Sequence, residues 1–555
     1  MSESIKVIDL FSGPGGLGEG FSAFQSDLGV NPFKIVASVE KEISAHKTLT
    51  LRAFYRQFQG KRVPDEYYEY LRSDGTISAK EFFSEQFPEQ WEAAERETLG
   101  GPKALGGDDH DEIFAAIEKQ ISNYKGAKVV IGGPPCQAYS LVGRARNKGI
   151  SGYSAEKDDR HFLYHEYLKV LDLVQPDVFV MENVKGILTA KVNGESIFEK
   201  IREDLRCPAR ALKSGRDEIE YELFPLAHPL SDLGGEGHFH NKDFVIKAEE
   251  FGIPQARHRV IILGVRKGVT LRGYQQALLD DWRTNHQVKT EQILGDLPPL
   301  RSGLTRRKIN DFKAWRENLD DGSLISYSAL SSSESAQGTA KQAIESATTD
   351  HGQGAKFVPW TGKLNCKMPD HLHRWYKDER ISGILNHEAR NHMAEDLHRY
   401  FFASCYASVK AGLSPRATDY PDPLAPAHKN WRSGKFVDRF KVQAKDRVAS
   451  TVTSHISKDG HYFIHYDPSQ CRSLTVREAA RIQTFPDNYF FEGTRTQQYV
   501  QVGNAVPPLL ASYIAKVVFK ILKVSSAKCN PRVDPDLSKT KSEKVDHLVT
   551  SQHYS

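Results

Sequence analysis

Cysteine is scarce in this chain. Cys136, Cys207, Cys366, Cys405, Cys471 and Cys529 are the only six among 555 residues. No two lie within zinc-knuckle spacing, and six are too few for a disulfide scaffold. A structural zinc and a stapled secreted fold are thereby excluded, and each cysteine is judged alone, ordinarily as a small buried hydrophobe. Long apolar runs are also missing. The most apolar stretches, such as Val178 to Met181 and Val260 to Val265, are strand-sized, whereas a membrane span takes about 20 apolar residues. Met1 to Asp9 lacks the charged-then-apolar order of a signal peptide, because Lys6 and Asp9 interrupt it. These absences predict a soluble protein of a reducing compartment. Charge of one sign is lacking too: Lys+Arg 75 against Asp+Glu 71 leaves +4. That excludes a chain basic throughout and an acidic disordered one, but not an enzyme that keeps its bases on one face. No internal repeat is found. At roughly 150 residues per domain, the length holds about three or four domains' worth of chain.

What is present is an α/β rhythm in the first third. Ile5 to Leu10 reads as a strand, followed by the turn Phe11-Ser-Gly-Pro-Gly-Gly-Leu-Gly18 and a helix through Phe24. A second strand, Ile35 to Val39, ends at Glu40. Residues from about 50 to 107 are polar and aromatic without sheet periodicity, as an insertion would be. Lys128 to Ile131 is strand-like and runs into Gly132-Gly-Pro-Pro-Cys136. Leu163, Tyr167, Leu171 and Val174 share one helical face, Pro176 stops that helix, and the strand Val178 to Met181 leads to Glu182-Asn183-Val184. Beyond Val265 the rhythm fades. Gly322 to Gly354 is rich in Ser, Ala and Gly and reads as a flexible surface segment. Between Lys429 and Arg447 seven bases face only Asp438 and Asp446, a local +5 inside a nearly neutral chain. Helical pattern returns at Val476 to Gln483 and at Leu509 to Leu522, and the last thirty or so residues are polar and read as disordered.

Several motifs carry chemistry, each beside a plainer reading. Glycines 13, 15, 16 and 18 after a strand let a bound group approach the backbone, with a helix N-terminus aimed at its charge. Glu40, at the end of the next strand, stands where a ribose hydroxyl pair is held. The register is not G-x-G-x-x-G, which disfavours NAD; alone, the set is only a nucleotide-type fold. Gly133-Pro-Pro-Cys136-Gln137 is either a proline turn with an incidental cysteine or a thiol fixed in place for nucleophilic work. Glu182 is either a helix-capping acid or a carboxylate with a task on the same rim as Cys136. In Gln255-Ala-Arg257-His-Arg259 alternation puts Gln255, Arg257 and Arg259 on one face, in the plain reading a solvated basic edge. Gln501-Val-Gly-Asn504-Ala-Val506-Pro-Pro508 opens a helix and is otherwise an ordinary Asn/Pro helix start.

Together and in this order, Asp9-Leu-Phe-Ser-Gly-Pro-Gly-Gly16, Pro134-Pro-Cys-Gln137, Glu182-Asn-Val184, Gln255-Ala-Arg-His-Arg259, Arg477-Glu-Ala-Ala-Arg481 and Gly503-Asn504 resemble the DNA cytosine-C5 methyltransferases of bacterial restriction–modification systems. The resemblance covers about half the chain. It implies a Rossmann-like, mostly parallel α/β sheet with an inserted, smaller DNA target-recognition domain. The division it implies is a catalytic, cofactor-binding domain at 1–271 with the insertion at about 50–107, target recognition at 272–494, a return to the catalytic domain at 495–525, and a tail at 526–555. The cofactor implied is S-adenosylmethionine, leaving as S-adenosylhomocysteine, with no metal. Cys136 would attack C6 of a flipped cytosine. Glu182, protonated or sharing a proton and with Asn183 beside it, would hold N3 and the exocyclic amine. Arg257 and Arg259 are the candidates for the cytosine O2, Arg259 ahead. Phe11, Gly13, Gly15, Gly16 and Leu17 would line the methionine end of the cofactor, Glu40 the ribose, and Asp108 (with Asp109 and Asp111 near it) the adenine. Pro134, Leu163, Asn504 and Val506 are further cofactor positions. Residues 137 to about 160 resemble a mobile catalytic loop, with Gln137, Ser140, Arg144 and Arg160 facing DNA. Gln255 and, in the basic run, Lys435, Arg439 and Lys441 are the other DNA candidates. The partners implied are duplex DNA and a restriction endonuclease acting on the same site without stable contact. The chain would be a cytoplasmic monomer with no membrane partner.

Three rivals are weighed. An amino-group methyltransferase ends its Pro-Pro tetrad with an aromatic, where Cys136 stands here. A transfer-RNA cytosine methyltransferase is similar but compact, against a variable region of roughly 200 residues here. A DNA-binding module with a vestigial catalytic half would not keep Cys136, Glu182, the arginines and Asn504.

Overall fold

Aliphatic, β-branched runs form the central strands because helices cover both faces of a parallel sheet, and a strand buried on both sides reads as continuous hydrophobe. In the computed structural model the described residues are 4–73, 75–135, 163–192, 194–227, 239–269, 283–284, 286–305, 311–319, 334–347, 349–360, 368–426, 431 and 439–526. Seven strands make the main sheet: β1 (Ile5–Leu10), β2 (Phe33–Val39), β3 (Lys128–Gly132), β4 (Val178–Val184), β5 (Tyr221–Phe224), β6 (Val245–Lys247) and β7 (His258–Arg266). Their order is β2-β1-β3-β4-β7-β5, with β6 also pairing to β7. β1 is parallel to β2 and β3, and β3 to β4. β7 alone runs against its neighbours β4, β5 and β6. The expected mostly parallel α/β sheet is the one observed. Chain order reverses at β1, since β2 lies on one side and β3 on the other, and such a switch point is where open α/β sheets have their ligand crevice, at the carboxyl ends of the strands.

The helices follow local signals. α1 (Gly16–Ala23) springs from the glycine turn, and α2 (Ile43–Arg56) starts at Glu42, whose carboxylate accepts the Ala45 amide at 2.7 Å. The segment expected as an insertion folds as α3 (Asp65–Arg72), α4 (Ala79–Ser84) and α5 (Pro88–Glu97). With the end of α2 they enclose an aromatic cluster of Phe54, Tyr67, Tyr70, Phe83 and Trp91, which also takes in Ile381, Leu385 and Phe490. α6 (His110–Ile121) and α7 (Leu163–Val174) precede and follow β3 along the chain, and α7 ends before Pro176 as the sequence predicts. α8 (Ile197–Arg206) follows β4.

The expectation of a flexible segment at 322–354 is corrected over part of its length, where α9 (Glu334–Ser346) is a helix. Ala340, Ala343, Ile344 and Ala347 recur at helical spacing and are buried against Trp315, Leu397 and Phe401, the last two on α10 (Ala394–Val409). An antiparallel pair of β8 (Gly354–Pro359) and β9 (Gly383–Glu388), joined through residues 360–382, lies between. α11 (Val476–Ile482) and α12 (Arg495–Asn504) both begin in capping boxes, Thr475 with Glu478 and Thr494 with Gln497. Val452, Leu474, Phe485 and Phe491 sit in the main sheet's own core, although their positions precede residue 495. α13 (Pro508–Ser526) lies against α1. The stretch Arg495–Lys523 corrects the expectation that every apolar run is strand-sized: by length and composition it could cross a membrane, yet 72% of its apolar window is buried inside the protein.

Candidate active site

The crevice at the carboxyl ends of β1 and β3 gathers the predicted motifs. After β1, Phe11 takes a left-handed conformation (φ 53°), which costs a non-glycine residue energy and is kept only where surroundings enforce it. Gly13 (φ 57°) and Gly15 (φ 95°) continue the turn. A Cβ at Gly13 would enter open space, whereas one at Gly15 would come 2.9 Å from Leu49 and one at Gly16 would overlap the Val506 carbonyl. The turn is thus closed behind by α2 and the 505–507 segment and open in front, a shape that admits an extended polar ligand. Glu40 accepts hydrogen bonds from the Gly13 amide at 2.8 Å and the Glu42 amide at 2.7 Å. Burial raises its carboxyl above the usual carboxylate range, these amides working against it. Leu17 is buried below the turn. Ile43, 62% exposed and three residues past Glu40, offers an apolar surface beside that carboxylate which the sequence reading missed. An exposed isoleucine opening a helix was its only signal. Glycine turn, acid and apolar side chain together fit a nucleoside-bearing sulfonium such as S-adenosylmethionine.

The second half of the rim comes from β3, β4 and β7. Gly132 pairs with Met181, so Gly133-Pro134-Pro135 lies beside Glu182. A Cβ on Gly133 would stand 2.9 Å from a Glu182 carboxylate oxygen. Asn183 donates to the Pro134 carbonyl at 3.3 Å and accepts the Val184 amide at 2.9 Å, tying the proline turn to β4. Glu182 pairs with Ile261 across β7, and Arg259 reaches it: Nε stands 2.9 Å from Oε1. Both side chains keep a small exposed fraction, 15% and 14%.

Two expectations fail on this edge. Gln255 was placed among the DNA contacts, but it is 0% exposed. Its amide donates to the Ile482 carbonyl and to Gln483, and accepts the Val452 amide. Arg257 was placed at the base with Arg259, but its guanidinium donates to the carbonyls of Val452 and Ala505, each at 2.8 Å. Burial first, and the charge of Arg259 second, hold its pKa well below the ordinary value. The single face foreseen for the three residues breaks at Arg257, between the short Gln255–Ala256 pairing with Ala449–Ser450 and β7. Only Arg259 faces the crevice acid.

Of the remaining candidates, Asp108 is exposed, Asp109 accepts the Ala104 amide at 2.8 Å, and Asp111 lies exposed in the first turn of α6. Leu163 is half-buried at the start of α7, Asn504 is exposed at the end of α12, and Val506 and Pro134 are buried. Arg439 reaches Asp459 at 3.4 Å, and Lys441 is exposed. Cys136, Gln137, Ser140, Arg144, Arg160 and Lys435, the loop from 137 to 160 and the tail beyond 526 lie outside the described residues. Among the described residues no group of three or more His, Cys, Asp and Glu side chains is arranged to hold a metal. Sequence reading also missed Tyr489, whose hydroxyl donates to the Pro14 carbonyl of the glycine turn. Nothing local marks a residue 475 positions away as a partner of that turn.

The C-5 cytosine-specific DNA methylase family matches residues 107–207 and 225–520. The type II methyltransferase M.Bpa9945I of Bacillus paralicheniformis is 35% identical over 530 residues, 93% of this chain and 99% of that protein. The putative type II methyltransferase M.OihORF3336P of Oceanobacillus iheyensis is 23% identical over 554 residues, 93% of this chain and 95% of that protein. The DNA (cytosine-5-)-methyltransferase M.ApeKI of Aeropyrum pernix is 26% identical over 430 residues, covering 71% and 82%.

Proposed function

The chain belongs to the C-5 cytosine-specific DNA methylase family and is a DNA cytosine-C5 methyltransferase of the restriction–modification type; we propose that it works on a cytosine flipped from duplex DNA, through Cys136, Glu182 and Arg259. The observation that carries this assignment is the Arg259–Glu182 pair beside the proline turn that leads into Cys136. Cytosine C5 is a poor nucleophile inside an aromatic ring. Addition of the Cys136 thiolate to C6 makes a C6–S bond and moves the ring's double-bond electrons toward C5. Glu182 holds N3 and the exocyclic amine as negative charge develops there, and Arg259 fixes that carboxylate and faces O2. S-adenosylmethionine, when bound, supplies the electrophilic methyl carbon that C5 takes. Loss of the C5 proton to a base, with departure of the Cys136 thiolate from C6, restores the ring. Asn183 ties the proline turn that precedes Cys136 to β4, beside Glu182. Phe11, Gly13, Gly15 and Glu40 would hold the cofactor, with exposed Ile43 offering it an apolar contact.

A base inside a duplex is out of reach of this crevice, so it must be extruded. Lys441 and the bases near it would meet phosphates. We further assign the chain to the cytoplasm as a monomer, guarding sites that a separate endonuclease cuts. The test is a duplex carrying 5-fluorocytosine at the methylated site, located by bisulfite sequencing of treated DNA. Wild type should form a covalent adduct in the presence of cofactor, and Cys136→Ser should form none and turn over no substrate. Label on adenine, on cytosine N4 or only on transfer RNA would refute the assignment, as would an active Cys136→Ser.

A further inference from the structure

Two helices bring their first turns to the rim at the carboxyl ends of the strands. α6 ends beside the start of β1, where Lys6 donates to the Gln120 carbonyl. α7 ends beside the start of β3, where Lys128 donates to the Val174 carbonyl at 2.6 Å. Each helix has 12 residues, about 18 Å of rise, enough to run the length of a strand. Their other ends, His110 on α6 and Glu166 in the first turn of α7, therefore stand on the rim, and they meet there. His110 Nδ1 lies 3.0 Å from Glu166 Oε2, and Lys169 donates to Oε1 at 2.7 Å. The Glu166 side chain is only 9% exposed.

The loop 103–109 joins this pair to the acid at the end of β2. The Lys103 amide donates to the Glu40 carbonyl at 2.8 Å. Asp109 accepts the Ala104 amide at 2.8 Å, and the Ala104 carbonyl accepts the Gly107 amide at 3.1 Å, so the loop closes on itself. Gly106 is left-handed (φ 81°), and a Cβ there would stand 2.8 Å from Glu166 Cγ and 3.1 Å from Cδ. The loop thus rests on the Glu166 stem, with Asp108 exposed on it.

We propose that Glu166 is a positioning residue for the purine of S-adenosylmethionine, acting through the loop 103–109 that its side chain seats beside Glu40. The inference rests on the cofactor reading above and deepens it, by naming what holds the loop that carries Asp108. Gly106 and Gly107 give that loop more freedom than other residues would, and freedom still present before binding is paid for from affinity. Contact with a buried side chain removes it beforehand. A buried carboxylate needs cationic company to stay in place, which Lys169 and His110 provide.

The experiment is titration calorimetry on the full chain without DNA. It compares S-adenosylhomocysteine with S-inosylhomocysteine, in which a carbonyl replaces the exocyclic amine of the purine. Wild type should prefer the adenosyl ligand by about tenfold or more, as a site that accepts a hydrogen bond from the amine does. Glu166→Ala should bind S-adenosylhomocysteine about tenfold more weakly and the inosyl analogue within about twofold of wild type, so the preference disappears. Gly106→Ala, which drives a methyl group into the Glu166 stem, should lose the same preference from the loop's side, and it keeps the test open if Glu166→Ala does not fold. With saturating cofactor and duplex, kcat should stay within about twofold while KM for S-adenosylmethionine rises with the dissociation constant. A preference retained in the folded variants would overturn the inference. So would equal weakening of both ligands, the mark of a general structural loss, and so would a wild type that binds both ligands alike. A wild type that binds neither ligand, nor S-adenosylmethionine, would overturn the cofactor reading and this inference with it.

Discussion

Asp9 lies at 0% exposure beneath the glycine turn, with the Ser12 hydroxyl and the Gly18 amide on its carboxylate. Burial, only partly offset by the Arg56 guanidinium and reinforced by Glu97, pushes its pKa from 3.8 up to about 7. The native state therefore keeps a proton that the unfolded chain releases near pH 4. Stability from this group is full below that pH, falls as pH rises, and is gone once pH passes about 7. Asp9→Asn removes the titration. Its stability should exceed wild type by a margin that opens between about pH 4 and pH 7 and then stays level, on the order of 2–4 kcal/mol at pH 8, with a higher melting temperature to match. Thermal melts of both proteins from pH 4 to pH 8 check this, and parallel curves would refute it. Residue identity was legible in sequence where a motif surrounds it, as at Glu182 with Asn183. It was not legible at Gln255 and Arg257, because their partners Ile482, Val452 and Ala505 lie 195 to 248 positions along the chain.

Elements were more legible than side-chain destinations, for a reason that also shows where they were not. β1, β3 and β4 announce themselves because a strand buried on both faces must be aliphatic throughout. α9 did not, because Ser, Ala and Gly dominate its composition while its apolar residues keep a helical period. Composition concealed what spacing carried. The contact between α1 and α13 was equally hidden, since glycine in a helix suggests flexibility before it suggests closeness. Here closeness is the reason. A Cβ on Gly20 would stand 2.5 Å from the Pro508 carbonyl oxygen and the Ser512 amide nitrogen, and would overlap Ala511. Gly20→Ala should gain about 1 kcal/mol of helix propensity and lose more to the forced separation, for a net cost of roughly 1–3 kcal/mol. Chemical denaturation with an unchanged m-value and a lower midpoint is the expected result. A more stable variant would mean the two helices part without strain.

At the scale of the whole molecule, the chain's two ends build one core. α1 begins 15 residues into the sequence, and α13 closes over it with Leu509, Leu510, Ile514, Val517, Val518 and Ile521 all buried. The segment before α13 serves the site as well. Ala505 offers its carbonyl to Arg257 and Gln483, and the Val506 carbonyl stands against Gly16. The sequence pointed to a return of the C-terminal region to the catalytic half through Gly503-Asn504 and the helical pattern after it, but could not show how much of the core depends on that return. Burial of each such side chain contributes roughly 1.5–3 kcal/mol. Six of them therefore rival the whole net stability of a domain, about 5–15 kcal/mol. A chain ending at Asn504 should not reach the native state. Far-ultraviolet circular dichroism should lose its cooperative melt and cofactor binding should vanish. A synthetic 505–526 peptide added in excess should restore both in part, because the peptide supplies the missing face of α1. A truncated chain that melts cooperatively and binds cofactor would show instead that the sheet closes without its last helix.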